Sequence, residues 1–164
     1  MHPARLPPDD LLRGCEETRT KRSGPGGQHR NKVETAVILR HPQSGVSAEA
    51  SERRSQADNR RVALFRLRLK LAIVHREPPE TGPSPLWRSR VRDGRLLIAV
   101  DHDDYPSLVA EALDRIVASS LDMPAVAPLL GVSPSQLVRL LEKEPAALEA
   151  LNRLRGAAGL KPLR

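Results

Sequence analysis

Three glycines, Gly24, Gly26 and Gly27, stand within four residues of one another, and Gln28 follows the last of them. The surrounding segment, 19–32, is basic and has no apolar residue except a proline, so it cannot bury itself and we expect an exposed loop. A phosphate cradle for nucleotides would need a Gly-Lys-Ser/Thr ending after a buried strand, and a dinucleotide fingerprint needs another glycine spacing. The glycines alone leave a flexible turn as the alternative.

The residues around the glycines distinguish a functional loop from a flexible turn. Residues 23–32 read Ser-Gly-Pro-Gly-Gly-Gln-His-Arg-Asn-Lys. This string resembles the Gly-Gly-Gln loop of bacterial class I peptide chain release factors and of their relatives that rescue stalled ribosomes. Further matching signals extend the resemblance over residues 19–75; they are Thr35-Ala36-Val37, His41-Pro42, Gly45-Val46 and Glu52-Arg53-Arg54-Ser55-Gln56. The resemblance implies hydrolysis of peptidyl-tRNA in the peptidyl transferase centre, with large-subunit ribosomal RNA and peptidyl-tRNA as partners and no cofactor.

The chemistry of ester hydrolysis suits such a loop. Attack on an ester carbonyl builds negative charge on oxygen, and a fixed backbone N–H can stabilise that charge without reorganising. The resemblance implies that Gly26 and Gly27 shape the loop, since glycine permits positive φ and close backbone approach. It implies further that the Gln28 N–H is the main catalytic group and that its side chain positions water. His29 and Glu34 are candidate general bases that this mechanism does not require.

Cations beside the loop predict an RNA-binding surface. From Arg19 to Arg76 there are 14 Lys/Arg against 4 Asp/Glu, a net charge of +10, whereas residues 81–164 hold 11 against 10, a net of +1. Such cations would neutralise ribosomal RNA phosphates, although a solvated arginine cluster is an alternative for the group at 53–61. The predicted RNA-binding residues are Arg22, Ser23, Gly24, Pro25, His29, Arg30, Asn31, Lys32, Arg53, Arg54, Arg60 and Arg61.

Composition restricts the remaining possibilities. Phe65, Trp87 and Tyr105 are the only aromatic residues, so the core must be aliphatic. Cys15 is the only cysteine, which rules out an intrachain disulfide, and the five histidines lack metal-ligand spacing. No apolar run reaches membrane-spanning length and no secretory signal is evident. We expect a cytoplasmic monomer without metal or membrane contact.

The elements that must hold the loop are predicted from periodicity. Two β-prone runs flanking the turn-rich segment 41–45 fit an antiparallel hairpin. A long helix should follow from Ser55, which heads a variant capping box, to about Arg76. Its apolar face is predicted as Val62, Phe65, Leu69, Ala72 and Ile73, widened by Leu64, Leu67 and Leu71. The β-prone runs are residues 33–40 and 46–50, and a further strand candidate at 96–100 could add an edge to their sheet.

Beyond a proline-rich linker at 77–85 the pattern is helical. We expect helices starting near Pro106, Asp122, Pro134 and Pro145, the last ending near Gly156. Residues 126–141 resemble a helix-turn-helix, but the second helix offers only two cations for DNA.

The sequence therefore predicts an α+β protein: a small, mostly antiparallel sheet with one long helix, followed by a small all-helical region. Residues 1–100 would be the hydrolase domain and 101–164 the helical region. Only 22 residues precede Ser23 and residues 142–164 lack a long basic tail, so we expect codon-independent hydrolysis in stalled-ribosome or large-subunit rescue. The alternatives are a non-catalytic ribosomal RNA-binding accessory factor and a helix-turn-helix regulator.

Overall fold

The computed structural model describes residues 1–20 and 35–164. They form two compact units, of which the first comprises Met1 and Pro3–Leu71 and the second comprises His2 and Ala72–Arg164. The division falls within the long helix and not at residue 100. A separation of roles between residues 1–100 and 101–164 stays a prediction.

The first unit is built on an antiparallel sheet and the long helix, as the sequence predicts. Within the described ranges the sheet has three strands in the order β1-β2-β3. Gly45, with φ of +71°, adopts the left-handed conformation in the turn between β2 and β3. The elements are a 3-10 turn (Pro3–Arg5), α1 (Pro8–Arg13), β1 (Glu16–Thr20), β2 (Ala36–His41), β3 (Val46–Ala50) and α2 (Gln56–Val74).

Strand β1 is an element that the sequence reading missed. Arg19 and Thr20, assigned to the loop, are its last residues. The strand is polar and mostly exposed, so it shows no apolar alternation. It forms because its backbone pairs with β2, from Glu16 opposite Arg40 to Thr20 opposite Ala36.

The buried face of α2 differs from the predicted one. Val62, Phe65, Leu69 and Ile73 are only partly buried. The deeply buried residues include the three leucines expected to widen the apolar face, one residue of the predicted face, one alanine that was not predicted and two polar residues; they are Leu64, Leu67, Leu71, Ala72, Ala63, Asn59 and Arg68. The prediction was wrong about which side is innermost because apolar periodicity gives no weight to a buried amide or guanidinium. Arg68 is accommodated by donating from Nε to the Ala4 carbonyl at 3.1 Å.

Cations of α2 also cover the edge strand β3. The Arg66 guanidinium donates to the Glu49 carbonyl at 2.8 Å. One turn later, Lys70 Nζ donates to the Ser47 carbonyl at 2.8 Å. These bonds satisfy carbonyls that would otherwise offer an open sheet edge.

The second unit contains the predicted C-terminal helices. The Ser133 side chain accepts a hydrogen bond from the Gln136 N–H, which confirms the cap predicted at this helix start. After the end of α2 come α3 (Pro85–Arg90), β4 (Val91–Arg92), β5 (Arg95–Leu96), α4 (Tyr105–Ala118), α5 (Met123–Leu129), α6 (Pro134–Glu142) and α7 (Pro145–Ala157).

The prediction of a strand at 96–100 that adds an edge to the first sheet was wrong. Leu96 pairs with Val91 in a two-stranded hairpin, and this hairpin is a sheet separate from β1–β3. Leu97 and Val100 are 54% and 44% exposed, so the apolar run does not mark a buried strand. The Asp93-Gly94 turn, with φ of 49° and 69°, was the missed signal for the hairpin.

Helix α4 is buried along Tyr105–Ile116 and carries charged groups inside the unit. Glu111 accepts from the Ser84 N–H at 2.7 Å and from the Ser84 hydroxyl at 2.5 Å. Ser84 Oγ in turn caps α3 by accepting from the Trp87 N–H at 3.0 Å. Asp114 accepts from the Arg76 guanidinium at 3.0 Å. Each buried carboxylate is thus hydrogen-bonded, as burial of a charge requires.

Two aromatic residues satisfy carbonyls near helix C-termini in the second unit. Trp87 Nε1 donates to the Leu130 carbonyl at 2.9 Å, just after α5. The Tyr105 hydroxyl donates to the Leu140 carbonyl at 2.8 Å in α6. Both rings are fully buried, so each combines apolar packing with a bond to a carbonyl that a helix end can leave unpaired.

We expect Glu111→Gln to lower the free energy of unfolding by about 1–3 kcal/mol. The NH2 group of the new glutamine is itself a donor and would face either the N–H or the hydroxyl of Ser84, so one hydrogen bond would be lost. Urea unfolding of the full chain measures the change. The matched control is Glu149→Gln, since Glu149 is 70% exposed and pairs with Arg153 one helical turn away. The control should change stability by less than about 0.5 kcal/mol. Equal effects at the two positions would contradict the structural role of Glu111.

Candidate functional site

The predicted catalytic loop lies between two register-paired strand ends. Thr20, the last residue of β1, is the partner of Ala36, the first residue of β2. Both attachment points of the intervening segment are therefore held together at one end of the sheet. The predicted site residues in that segment lie outside the described ranges; they are Arg22, Ser23, Gly24, Pro25, Gly26, Gly27, Gln28, His29, Arg30, Asn31 and Lys32. The prediction of an exposed loop over 19–32 is wrong at Arg19 and Thr20, which belong to β1, and its remainder lies outside the described ranges.

Asn59 fixes the backbone on the β2 side of the segment. Its side chain is fully buried. The amide nitrogen donates to the Thr35 carbonyl at 2.7 Å and to the Arg53 carbonyl at 3.0 Å. The amide oxygen accepts from the Arg53 N–H at 2.8 Å. One side chain thus holds the residue that enters β2, the segment ahead of α2 and the first turn of α2 itself.

Sequence reasoning did not single out Asn59, although a signal was available. Asn59 stands four residues before Ala63 and eight before Leu67, in phase with the buried stripe of α2. A polar residue in phase with an apolar stripe must be hydrogen-bonded if it is buried. That signal appears only once the correct stripe is known.

The structure places the four predicted RNA-binding arginines that it describes at the start of α2. Arg53, Arg54, Arg60 and Arg61 are all exposed. Arg60 Nε bonds Glu17 at 2.7 Å, whereas the other three have no ion-pair partner in residues 1–20 and 35–164. Because the Arg53 backbone and the Thr35 carbonyl share Asn59, one of these cations is held near the start of β2.

Two carboxylates neutralise some of the neighbouring positive charge. A hydrogen bond from the Arg60 side chain lowers the pKa of Glu17, and Arg19 acts in the same direction. Backbone N–H groups, that of Ser51 first, lower the pKa of Glu52 to about 2, and Arg66 contributes further. The carboxylates of Glu17 and Glu52 are therefore ionised at neutral pH, and they form ion pairs with Arg60 and Arg66. Of the four predicted RNA-binding arginines that the structure describes, Arg53, Arg54 and Arg61 are left for an external anion.

The described residues offer neither a metal site nor a membrane-spanning helix. No group of three or more His, Cys, Asp or Glu side chains among them could hold a metal ion. In the same ranges, the helices are too short or too polar to cross a bilayer.

The chain is similar to known proteins over part of its length. Residues 12–89 match the RF-1 domain. The chain is 41% identical over 76 residues to "Peptide chain release factor PrfB1, chloroplastic" of Arabidopsis thaliana, covering 46% of this chain and 16% of the relative. It is 33% identical over 109 residues to "Peptide chain release factor 1" of Ureaplasma parvum serovar 3, covering 61% of this chain and 30% of the relative. The chain thus spans less than a third of the length of these relatives.

The matched segment runs from α1 to α3 and includes the Gly-Gly-Gln string, the sheet and the long helix. An α+β domain with that string between paired strands is of the release-factor type. Over residues 12–89 the chain is therefore similar to class I peptide chain release factors.

We expect Asn59→Ala to lower the free energy of unfolding by about 2–3 kcal/mol, since it leaves the buried partners of the amide unsatisfied. The matched control is Arg61→Ala, which truncates an exposed side chain of the same helix and should change stability by less than about 0.5 kcal/mol. Denaturant unfolding, followed by circular dichroism, compares the two variants. Similar losses for both would rule out a special role for the amide.

Proposed function

We propose that this chain hydrolyses the ester of peptidyl-tRNA on the ribosome, and that it does so without reading a stop codon. The observation that carries the proposal is the position of Gly26-Gly27-Gln28 inside the segment that matches the RF-1 domain. The relatives' names support the coarser part, a role in peptide release and translation termination. The finer part, rescue of stalled ribosomes or split large subunits, follows from the resemblance to rescue proteins.

The proposed chemistry is attack by water on the ester carbonyl that joins the peptide to the tRNA. The bond between the carbonyl carbon and the ribose oxygen then breaks. The peptide leaves as a carboxylic acid, and the ribose oxygen takes up a proton and becomes the hydroxyl group of the free tRNA. Gly26 and Gly27 would let the backbone approach closely, and the Gln28 N–H would stabilise the developing oxyanion. The Gln28 side chain would position the water.

Ribosomal RNA is the proposed partner of the arginines at the start of α2. Arg53, Arg54 and Arg61 are exposed and have no ion-pair partner in the described ranges, which supports contacts with phosphates. Asn59 holds Arg53 beside the start of β2, so these contacts would orient the catalytic segment. Peptidyl-tRNA and the peptidyl transferase centre complete the proposed site.

We expect Gly27→Ala and Gly26→Val to abolish peptide release while leaving ribosome binding nearly intact. An added Cβ disfavours positive φ and obstructs close approach to the ester. Release from purified ribosomes carrying labelled peptidyl-tRNA measures activity, and co-sedimentation measures binding.

The matched control is Gly156→Ala. Gly156 lies in α7, and a Cβ added there would meet nothing within 4 Å. This variant should release peptide like wild type. Normal release by either loop variant would overturn the catalytic assignment, and binding without release by the wild type would favour the accessory-factor alternative.

We further expect release rates within about twofold of one another on ribosomes with a stop codon, a sense codon or a truncated message, because the proposed hydrolysis uses no codon contact. A codon-reading release factor added to the same ribosomes is the positive control. If this chain acted about tenfold or more faster on stop codons, codon independence would be refuted.

A further inference from the structure

Strand β1 carries a carboxylate on the buried face of the sheet. Glu17 stands opposite Leu39, and Leu39 stands opposite Ala48 on the next strand. Residues opposite one another on neighbouring strands point to the same face of a sheet. Leu39 and Ala48 are 0% and 3% exposed, whereas the Glu17 side chain is 21% exposed. A carboxylate in a row of buried apolar residues needs a charged or hydrogen-bonding partner.

The partner of Glu17 comes from α2. Arg60 Nε donates to Glu17 Oε2 at 2.7 Å, and Arg19 Nε donates to Glu17 Oε1 at 3.1 Å. Both carboxylate oxygens are therefore bonded, one to the helix and one to β1 itself. The hydrogen bond from Arg60 is the main cause of the lowered pKa of Glu17, ahead of that from Arg19. Arg60, one of the predicted RNA-binding residues, is thus bound to a group of the first unit.

A second ion pair of β1 lies on the opposite face of the sheet. Glu16 precedes Glu17, and successive side chains of a strand point to opposite faces. Glu16 pairs with Arg40 at 3.4 Å, and the two side chains are 61% and 58% exposed. These residues belong to strands that backbone pairing already joins. The Glu16–Arg40 pair therefore adds no link between sheet and helix, whereas the Glu17–Arg60 pair does.

The Glu17–Arg60 ion pair compensates for the polar character of β1. None of the five residues of this strand is buried, so β1 contributes no buried side chain to the packing of the sheet on α2. Asn59, the residue before Arg60, holds the start of β2. Two consecutive residues of α2 therefore fasten the strands on both sides of the segment that contains Gly26-Gly27-Gln28.

We propose that Glu17 and Arg60 are positioning residues of the proposed hydrolase, because their ion pair sets the direction in which β1 leads into the catalytic segment. The role rests on the proposed function, in which Gly26-Gly27-Gln28 performs the chemistry. Arg60 would act through the fold, while the other three described arginines contact RNA. Misplacing a reacting group by about 1 Å can cost about 100-fold in rate, so partial loss of this support should slow release without weakening binding.

An apolar replacement separates positioning from stability. Leucine at position 17 would extend the row of Leu39 and Ala48, and exchange of an ion pair for apolar contacts is often neutral or stabilising. We expect Glu17→Leu to keep the melting temperature within about 2 °C of wild type or to raise it. The variant should nevertheless release peptide slowly, because the directional contact with Arg60 is lost.

The main test uses alanine variants of the full chain. Glu17→Ala, Arg60→Ala and the double variant remove the link between β1 and α2. Glu16→Ala and Arg40→Ala are the matched controls, since they remove the same two types of charge from the opposite face of the sheet. Peptide release from ribosomes carrying labelled peptidyl-tRNA is followed over a range of protein concentrations. The maximal rate and the concentration that gives half of it are obtained separately.

Glu17→Ala and Arg60→Ala should each lower the maximal rate about three- to tenfold and change the half-maximal concentration by less than about twofold. The double variant should be no slower than the slower single variant, because both changes break one link. The controls should stay within about twofold of wild type in both quantities.

Three results would overturn the proposal. The first is a normal maximal rate for Glu17→Ala. The second is a normal maximal rate with a raised half-maximal concentration for Arg60→Ala, which would make this residue an RNA contact. The third is release at the wild-type rate by Glu17→Leu, since packing alone would then be sufficient.

Hydrogen exchange of the free protein tests the link independently of activity. The backbone amides of β1 should exchange at least about threefold faster in Glu17→Ala than in Glu16→Ala, because the strand loses its contact with α2. Equal exchange in the two variants would refute the link even if release were impaired. If wild type released no peptide, the proposed function would fail, and faster exchange of β1 in Glu17→Ala would still support the link.

Discussion

The arrangement around the candidate site depends on one buried amide. Asn59 has three backbone partners, belonging to Thr35 and Arg53, and no access to water. In that environment each unmade hydrogen bond costs free energy, so the three segments are held in the one arrangement that satisfies them all. The sheet pairing of Thr20 with Ala36 then fixes the other attachment point of the segment that contains Gly26-Gly27-Gln28.

The second constraint is the distribution of arginines and lysines between internal and external partners. Arg66 and Lys70 bind carbonyls of β3, and Arg60 binds Glu17. These three side chains support the fold of the first unit. The charge count of the sequence treats them like Arg53, Arg54 and Arg61, which are exposed and have no ion-pair partner among the described residues. Net charge thus indicates the class of partner, and geometry indicates the contact.

The two units use charge in opposite ways. In the first, exposed arginines lie near Thr35, at the start of β2. In the second, the acids Glu111 and Asp114 are buried, while Arg92, Arg95 and Arg139 are exposed. The match to the RF-1 domain covers residues 12–89.

The sequence by itself determined the Gly-Gly-Gln string, the bounds of β3 and the starts of the C-terminal helices, because these depend on local signals: turn glycines, caps and prolines at helix starts. Only the tertiary structure decided that polar β1 pairs with β2, that α2 buries Asn59 and Arg68, and that Leu96 belongs to a separate hairpin. The physical reason is that a polar strand or a buried polar side chain is stabilised by partners distant in sequence. Asn59 and Thr35 are 24 residues apart, and no local pattern records that bond.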